Sequence, residues 1–249
     1  MTSSHARRAV LLGTLLLAAP AVHAQTVDEI VAKNIAAKGG YELLKNTTTV
    51  RTTGTGTMQG AEVTITTISK RPYFVRNEMG VAGKKMIVGF DGTTAWMAAP
   101  GLPPQAIPPG PQTEGLKQNS QIDSPIFDYK LKGTKVELGE PLTEGGRKLH
   151  HLIVTPKGSP AMHYYLDAAT GLEAKMLVDV EDAGQTMKME MRFSDFKPVD
   201  GRMVPFTLTQ FVNGNQVVEM KFQKIEFNVP VDDAIFKMPE KQDGGRPSL

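Results

Sequence analysis

Three histidines are the side chains of this 249-residue chain best suited to hold a metal: the adjacent pair His150-His151, and His163. Neighbouring residues of a strand point to opposite faces, so only one of the pair can join His163 across a hairpin. A zinc site needs several ligands at fixed geometry, and no carboxylate has a set position beside these imidazoles. They read as ordinary surface and core histidines. Asp232-Asp233 could serve as an acid–base pair, but its place just before Ala234-Ile-Phe236 is that of a cap on a short turn. Gly54-Thr-Gly56 begins a G-x-G-x-x-x-G string inside a strand pattern with no helix after it, so the dinucleotide fingerprint fails and the glycines mark a bend. The chain has no cysteine, no His-Glu-x-x-His helix motif and no Gly-x-Ser-x-Gly elbow. Without a nucleophile and its base, no catalysis is expected, and no metal or cofactor.

What dominates instead is apolar and has a period of two. In Gln185-Thr-Met187-Lys-Met189-Glu-Met191-Arg-Phe193 every second side chain is large and apolar, and those between are polar or charged. That is a strand with one greasy face and one wet face. The same alternation gives Met86, Val88 and Phe90; Met162, Tyr164 and Leu166; and Met176, Val178 and Val180. It continues in Phe206 and Leu208, then Val218, Met220 and Phe222, while Asp179, Glu181 and Asp182 fall on the wet side. Methionine repacks easily around irregular or changing partners, and all but Met1 of the 13 methionines lie beyond residue 24. These residues, with Phe74 and the single tryptophan Trp96, are the expected lining of an apolar binding site.

The elements that must carry them are mostly strands. Thr26-Val-Asp-Glu29 is a capping box, and Val27, Ile30, Val31, Asn34 and Ile35 at helical spacing predict an amphipathic helix to about Lys38. Gly39-Gly40 ends it, and Tyr41–Leu44 predicts one further turn. Alternating segments follow at Thr47–Gln59, Glu62–Lys70, Arg71–Arg76, Lys84–Phe90 and Thr93–Met97, with an Asp91-Gly92 hairpin turn. Pro72 suits the start of a strand or an edge. Ala98–Gln112 contains six prolines and can be neither a helix nor a central strand; a lid loop and a disordered insertion both fit. Thr113–Tyr129 predicts a helix broken near Ser124-Pro125, with Leu116, Ile122, Ile126, Phe127 and Tyr129 on its buried side. From Lys135 to Phe227 seven strands alternate with turns marked by glycine, which predicts one meandering antiparallel sheet of about ten strands. Two short helices cannot cover such a face. Either it is left for a ligand, or helices, loop and curvature together fill it as core.

Composition sets the compartment. Arg7 and Arg8, an apolar run Ala9–Ala19 and Val22-His-Ala24 make a secretory signal peptide, cleaved after Ala24. The run is too short to span a bilayer. Without cysteine there is no lipid anchor and no disulfide. Of 28 basic residues two are Arg7 and Arg8, which leaves 26 against 26 acidic ones, so the exported chain has no net charge. That argues against a nucleic-acid partner, which would want a basic patch with interleaved aromatics. A soluble periplasmic protein is expected, a monomer with residues 25–239 in one domain and 240–249 as a loose tail.

Ile68-Ser-Lys70-Arg71-Pro72-Tyr-Phe74 followed by Asp91-Gly92-Thr-Thr-Ala-Trp96 resembles the paired motifs of the LolA-like periplasmic lipoprotein carriers, and more widely the outer-membrane lipoprotein-sorting proteins. Leu152–Lys157, Tyr165-Leu-Asp167 with Gly171, and Val231-Asp-Asp-Ala-Ile-Phe236 extend the likeness over most of the chain. The resemblance implies a mainly β (α+β) fold: a single wide, curved antiparallel sheet, an open half-barrel, covered by the N-terminal helix and a helical and loop lid at 98–130. It implies an apolar cavity for the acyl chains of a lipoprotein or lipid, and donor and acceptor proteins at the inner and outer membranes. It also implies that Arg71, with Pro72, holds the lid shut and lets cargo move on. The alternative is a non-transferring module that binds another apolar ligand or a partner protein of the cell envelope.

Overall fold

The computed structural model describes residues 25–182 and 184–240. The leader read in residues 1–24 and nearly all of the tail at 240–249 lie outside the described residues. Fourteen strands form one antiparallel sheet, and it is not closed into a barrel.

The chain opens with α1 (Val27–Ala37), whose N-cap Thr26 and Glu29 form the reciprocal capping box. Ile30 and Val31 are its buried apolar positions, each worth about 1.5–3 kcal/mol of transfer free energy, and Asn34 is buried beside them. After α2 (Tyr41–Lys45), the strands β1 (Thr49–Met58), β2 (Ala61–Lys70), β3 (Phe74–Val81), β4 (Lys84–Asp91) and β5 (Ala95–Ala98) meander to one edge. The proline-rich stretch is not all loop: Gln105–Ile107 forms β6 and pairs with β5 as the edge strand. A three-residue edge strand tolerates flanking prolines because it needs ladder bonds on one side only.

The second helix is shorter than its sequence pattern and begins earlier. α3 spans Pro111–Asn119, with Pro111 in the first turn where its missing N–H costs nothing. Residues 120–134 are turns rather than helix. Ile126 and Phe127 are nonetheless buried, so the apolar side read there is real but carried by irregular backbone.

The rest is β7 (Lys135–Leu138), β8 (Leu142–Glu144), β9 (Arg147–Thr155), β10 (Met162–Asp167), β11 (Glu173–Asp182), β12 (Gln185–Val199), β13 (Arg202–Val212) and β14 (Asn215–Phe227). β14 pairs with β1, so the sheet runs β6-β5-β4-β3-β2-β1-β14-β13-β12-β11-β10-β9-β7, with β8 also on β9. The register of β1 on β14 shifts between Thr53 and Gly54, at the bend read from the glycines. At Gly56 a Cβ would run into the carbonyl of Glu219 and the sulfur of Met220, so the close approach requires glycine.

Both long helices lie on one face and make a core at each flank. α1 packs Ile30 and Val31 with Ile126, Leu152, Val154, Tyr164 and Leu166. At the other flank Val75, Phe90, Ala95 and Ile107 are buried together, with Leu116 of α3 packed on them. The 3-10 helix Asp233–Phe236 lies on the opposite face, its Asp232 carboxylate accepting from the Ala234 N–H as a cap.

Candidate functional site

Side chains directly opposite each other across a ladder share a face. Met162 pairs with Val178 and Val178 with Met189; Tyr164 pairs with Met176, Met176 with Met191, and Val180 with Met187. Phe193 faces Leu208, and Leu208 faces Met220. Met220 and Phe222 lie over Gly56 and Gly54, which pair on to Val63 and Ile65. Ile65 meets Met79, Met79 meets Met86, and Asn77 meets Val88. Thus Met86, Val88, Phe90, Met162, Tyr164, Met176, Val178, Met187, Met189, Met191, Phe193, Met220 and Phe222 occupy one face, the one that bears the helices. Phe206, two residues from Leu208 on an unbroken strand, joins them.

Phe74 and Trp96 do not. Phe90 pairs with Ala95, so Trp96 falls opposite Gly89 on the other face, where its ring fills the place of a Gly89 side chain. There Trp96 is fully buried, donates from Nε1 to the Phe236 carbonyl at 2.6 Å and lies beneath the Arg76 guanidinium. Phe74 packs on Phe236 at 5.4 Å between centroids. Their expected place beside the methionines is corrected: both hold the 3-10 helix down on the outside of the sheet.

The remaining set divides by burial. Tyr164 and Phe90 belong to the flanking cores, with Met162, Met176 and Val88 packed against them. Between the flanks Val178, Met187, Met189, Met191, Phe193, Phe206 and Phe222 are only half-buried, and Met220 is buried. Met86 is exposed at the far end of its strand. This middle band is an apolar trough that neither helix covers. Two hollows, of about 600 Å³ beside α2 and about 900 Å³ between the β1–β2 and β3–β4 turns, include none of these side chains, although the second reaches Gly56 and Val63 of the same face.

Arg71 stands at the junction between sheet and cover. Its two terminal nitrogens grip both oxygens of Asp123 at 2.6 and 2.7 Å, the bidentate fork that gives an arginine–carboxylate pair its strength. Nε donates to the Thr47 carbonyl at 2.6 Å and Nη2 to that of Leu44 at 3.3 Å. One side chain therefore ties the end of α2 to the segment after α3. Pro72 is exposed beside it.

α1 is fastened separately. Lys33 donates to the Ala168 carbonyl, Asn34 to that of Gly171 at 2.8 Å, and Lys38 to Glu173 at 2.8 Å. Burial disfavours the Glu173 carboxylate, but the charge and hydrogen bond of Lys38 outweigh it and hold the carboxyl below its ordinary value. The Thr170 N–H, with Ala169, likewise holds Asp167 low in the adjoining turn.

His151 Nε2 lies 2.8 Å from His163 Nδ1, a direct imidazole pair on the outer face with His151 stacked on Tyr165. Burial, then the neighbouring His163, holds His151 below its usual value. Among the described residues no three metal-binding side chains come together.

No protein-family model matches the chain, and no curated protein matches it in sequence. Solved structures do match its shape. A LolA superfamily protein from Nitrosomonas europaea superposes with a TM-score of 0.57 at 12% identity, over 86% of this chain and 98% of that one. A DUF1329 family protein from Desulfovibrio piger gives 0.57 at 13% identity, over 85% and 97%. A domain from Vibrio parahaemolyticus described as outer membrane lipoprotein-sorting gives 0.54 at 13%, over 85% and 97%. The chain therefore has a LolA-like fold.

Three features of the site escape sequence reading: Asp123 as partner of Arg71, the Lys38–Glu173 pair and the burial of Arg202. Each joins residues far apart in the chain, and no local pattern of residue types announces the partner.

Proposed function

We propose that the helix-bearing face shields acyl chains of a lipoprotein or lipid, and that the protein carries them through the cell envelope without catalysing a reaction. The observation that supports this most directly is the methionine-rich band, continuous across β11–β14 and, but for Met220, left half-buried between two separately packed cores. Each methylene buried there contributes about 0.8 kcal/mol, so a long chain can be held by apolar contact alone. The export signal read in residues 1–24 puts the protein in the periplasm, where cargo would arrive from an inner-membrane donor and leave to an outer-membrane acceptor. Arg71 is the release element: freeing Asp123 and the carbonyls of Leu44 and Thr47 lets the segment at 120–134 and α2 lift, while α1 stays fastened.

Native mass spectrometry of the protein taken from its own envelope, with lipid extraction, tests the reading. A co-purifying acylated peptide or lipid is expected. Protein that arrives empty and takes up no fluorescent fatty acid would sink it. The openness of the band also fits a non-transferring module for another apolar ligand or a partner protein. That reading gains if ligand binds but never passes to acceptor vesicles.

A further inference from the structure

Arg202 opens β13 and is only 4% exposed. It lies on the helix-bearing face, in the same alternation as Phe206 and Leu208, with its guanidinium over the Phe227 ring at 4.3 Å. Nη1 donates to the Asp200 carbonyl at 3.1 Å; Nη2 donates to the Leu43 carbonyl at 3.1 Å and to Thr47 Oγ1 at 2.9 Å. Nε is buried and donates to no protein acceptor. Every oxygen that Arg202 meets is neutral, whereas Arg71, which shares Thr47 with it, has the Asp123 carboxylate. Burial holds the Arg202 guanidinium below its ordinary value, opposed by the charge of Asp200. A buried cation whose hydrogen-bond acceptors are all neutral is costly to keep, and an anion brought by a ligand into direct contact would offset that cost.

The position along the trough says where such an anion would sit. From Arg202 the apolar row runs through Val204 and Phe206 to Leu208, with Phe193 and Met220 on the flanking strands. That length of strand rises about 20 Å, enough to lie beside a long acyl chain. Lys197 adds a second cation at the same end, its ammonium 4.7 Å from the centroid of the Phe206 ring and ion-paired to Asp195.

We propose that Arg202 marks the headgroup end of the trough, and that the ligand is an amphiphile whose carboxylate or phosphate pairs with Arg202 while its acyl chain lies along β13. In the closed state the Leu43 carbonyl and the Thr47 hydroxyl occupy the guanidinium. An anionic oxygen displaces them, because beside a buried guanidinium an opposite charge adds an attraction that neutral oxygens lack. Lifting of α2 and arrival of the headgroup are then one event. The inference rests on the acyl-chain reading above and adds polarity and head chemistry to it.

The test is a set of titrations of the exported chain with palmitate, hexadecyl phosphate, hexadecanol and inorganic phosphate, on wild type, Arg202→Gln and Arg202→Lys. Wild type should bind both anionic amphiphiles about tenfold or more tightly than hexadecanol, the scale of one charged hydrogen bond. The advantage over hexadecanol should vanish in Arg202→Gln and partly return in Arg202→Lys. Equal affinity for all three amphiphiles in wild type overturns the headgroup assignment but leaves the acyl-chain reading standing. Inorganic phosphate binding as tightly as hexadecyl phosphate means a free-anion site and overturns the alignment with the trough. No uptake of any amphiphile overturns both. Should Arg202→Gln fail to fold, the wild-type comparison and Arg202→Lys still decide.

Discussion

Arg71 and Arg202 converge on the same short stretch, Leu43 to Thr47, and differ in what completes them. Arg71 has a carboxylate partner from a distant turn, and its removal leaves the Asp123 side chain, 12% exposed, with only Lys132 at 3.9 Å. Arg71→Leu should therefore cost about 1–3 kcal/mol of stability, discounted because the arginine is one-third exposed. Hydrogen exchange should quicken at 41–48 and 120–134 while 27–37 stays protected, and bound fatty acid should leave faster. Unchanged exchange at 120–134 would remove Arg71 from any role in closure. Arg71 itself is legible in the Lys70-Arg71-Pro72 string, as is the capping role of Asp232. Asp123 is not, because an ion pair formed across 52 positions of chain depends on the fold being in place.

At the scale of elements, α1 is held by polar contacts at its C-terminal half as well as by Ile30 and Val31. Its Lys38–Glu173 pair gives it a pH dependence of known sign. Glu173 is held below its ordinary value of 4.5 in the fold, so its contribution is complete above the unfolded value and is lost as pH falls through the folded one. Asp167 works in the same direction from 3.8. Denaturant midpoints should therefore be level at neutral pH and decline below about pH 4.5, and Lys38→Met should flatten part of that decline. A decline of equal depth in Lys38→Met would mean the pair does not fasten α1. The helix and most strand positions follow from local chemistry: the Thr26–Glu29 box, the period-two alternation, glycine at the turns. Which face a strand presents does not. Four residues separate Phe90 from Ala95, and one more or fewer would exchange Ala95 and Trp96 between faces. The alternation of β5 alone cannot say which, so Trp96 and Phe74 read as lining. The helix expected at 113–129 stops at Asn119 for a related reason: apolar spacing marks a buried side, but Ser124-Pro125 and the separate turns around Asp128 and Gly133 bury it without a continuous helix.

For the molecule as a whole, the division of labour between faces is the functional argument. The outer face carries the plug of Phe236 over Trp96 and Phe74, the His151–His163 pair, and charged rows such as Lys175, Glu144 and Arg192. The inner face carries two cores and the uncovered band between them. Photocrosslinking with a diazirine-bearing fatty acid, mapped by peptide mass spectrometry, tests this division most directly. Adducts should concentrate on Met187–Phe193, Phe206–Leu208 and Met220–Phe222 and spare the peptide holding Trp96. Adducts confined to outer-face residues such as Ile153 and Leu177, or uptake without any adduct on β12–β14, would contradict the assignment of the methionine band as the acyl-binding surface.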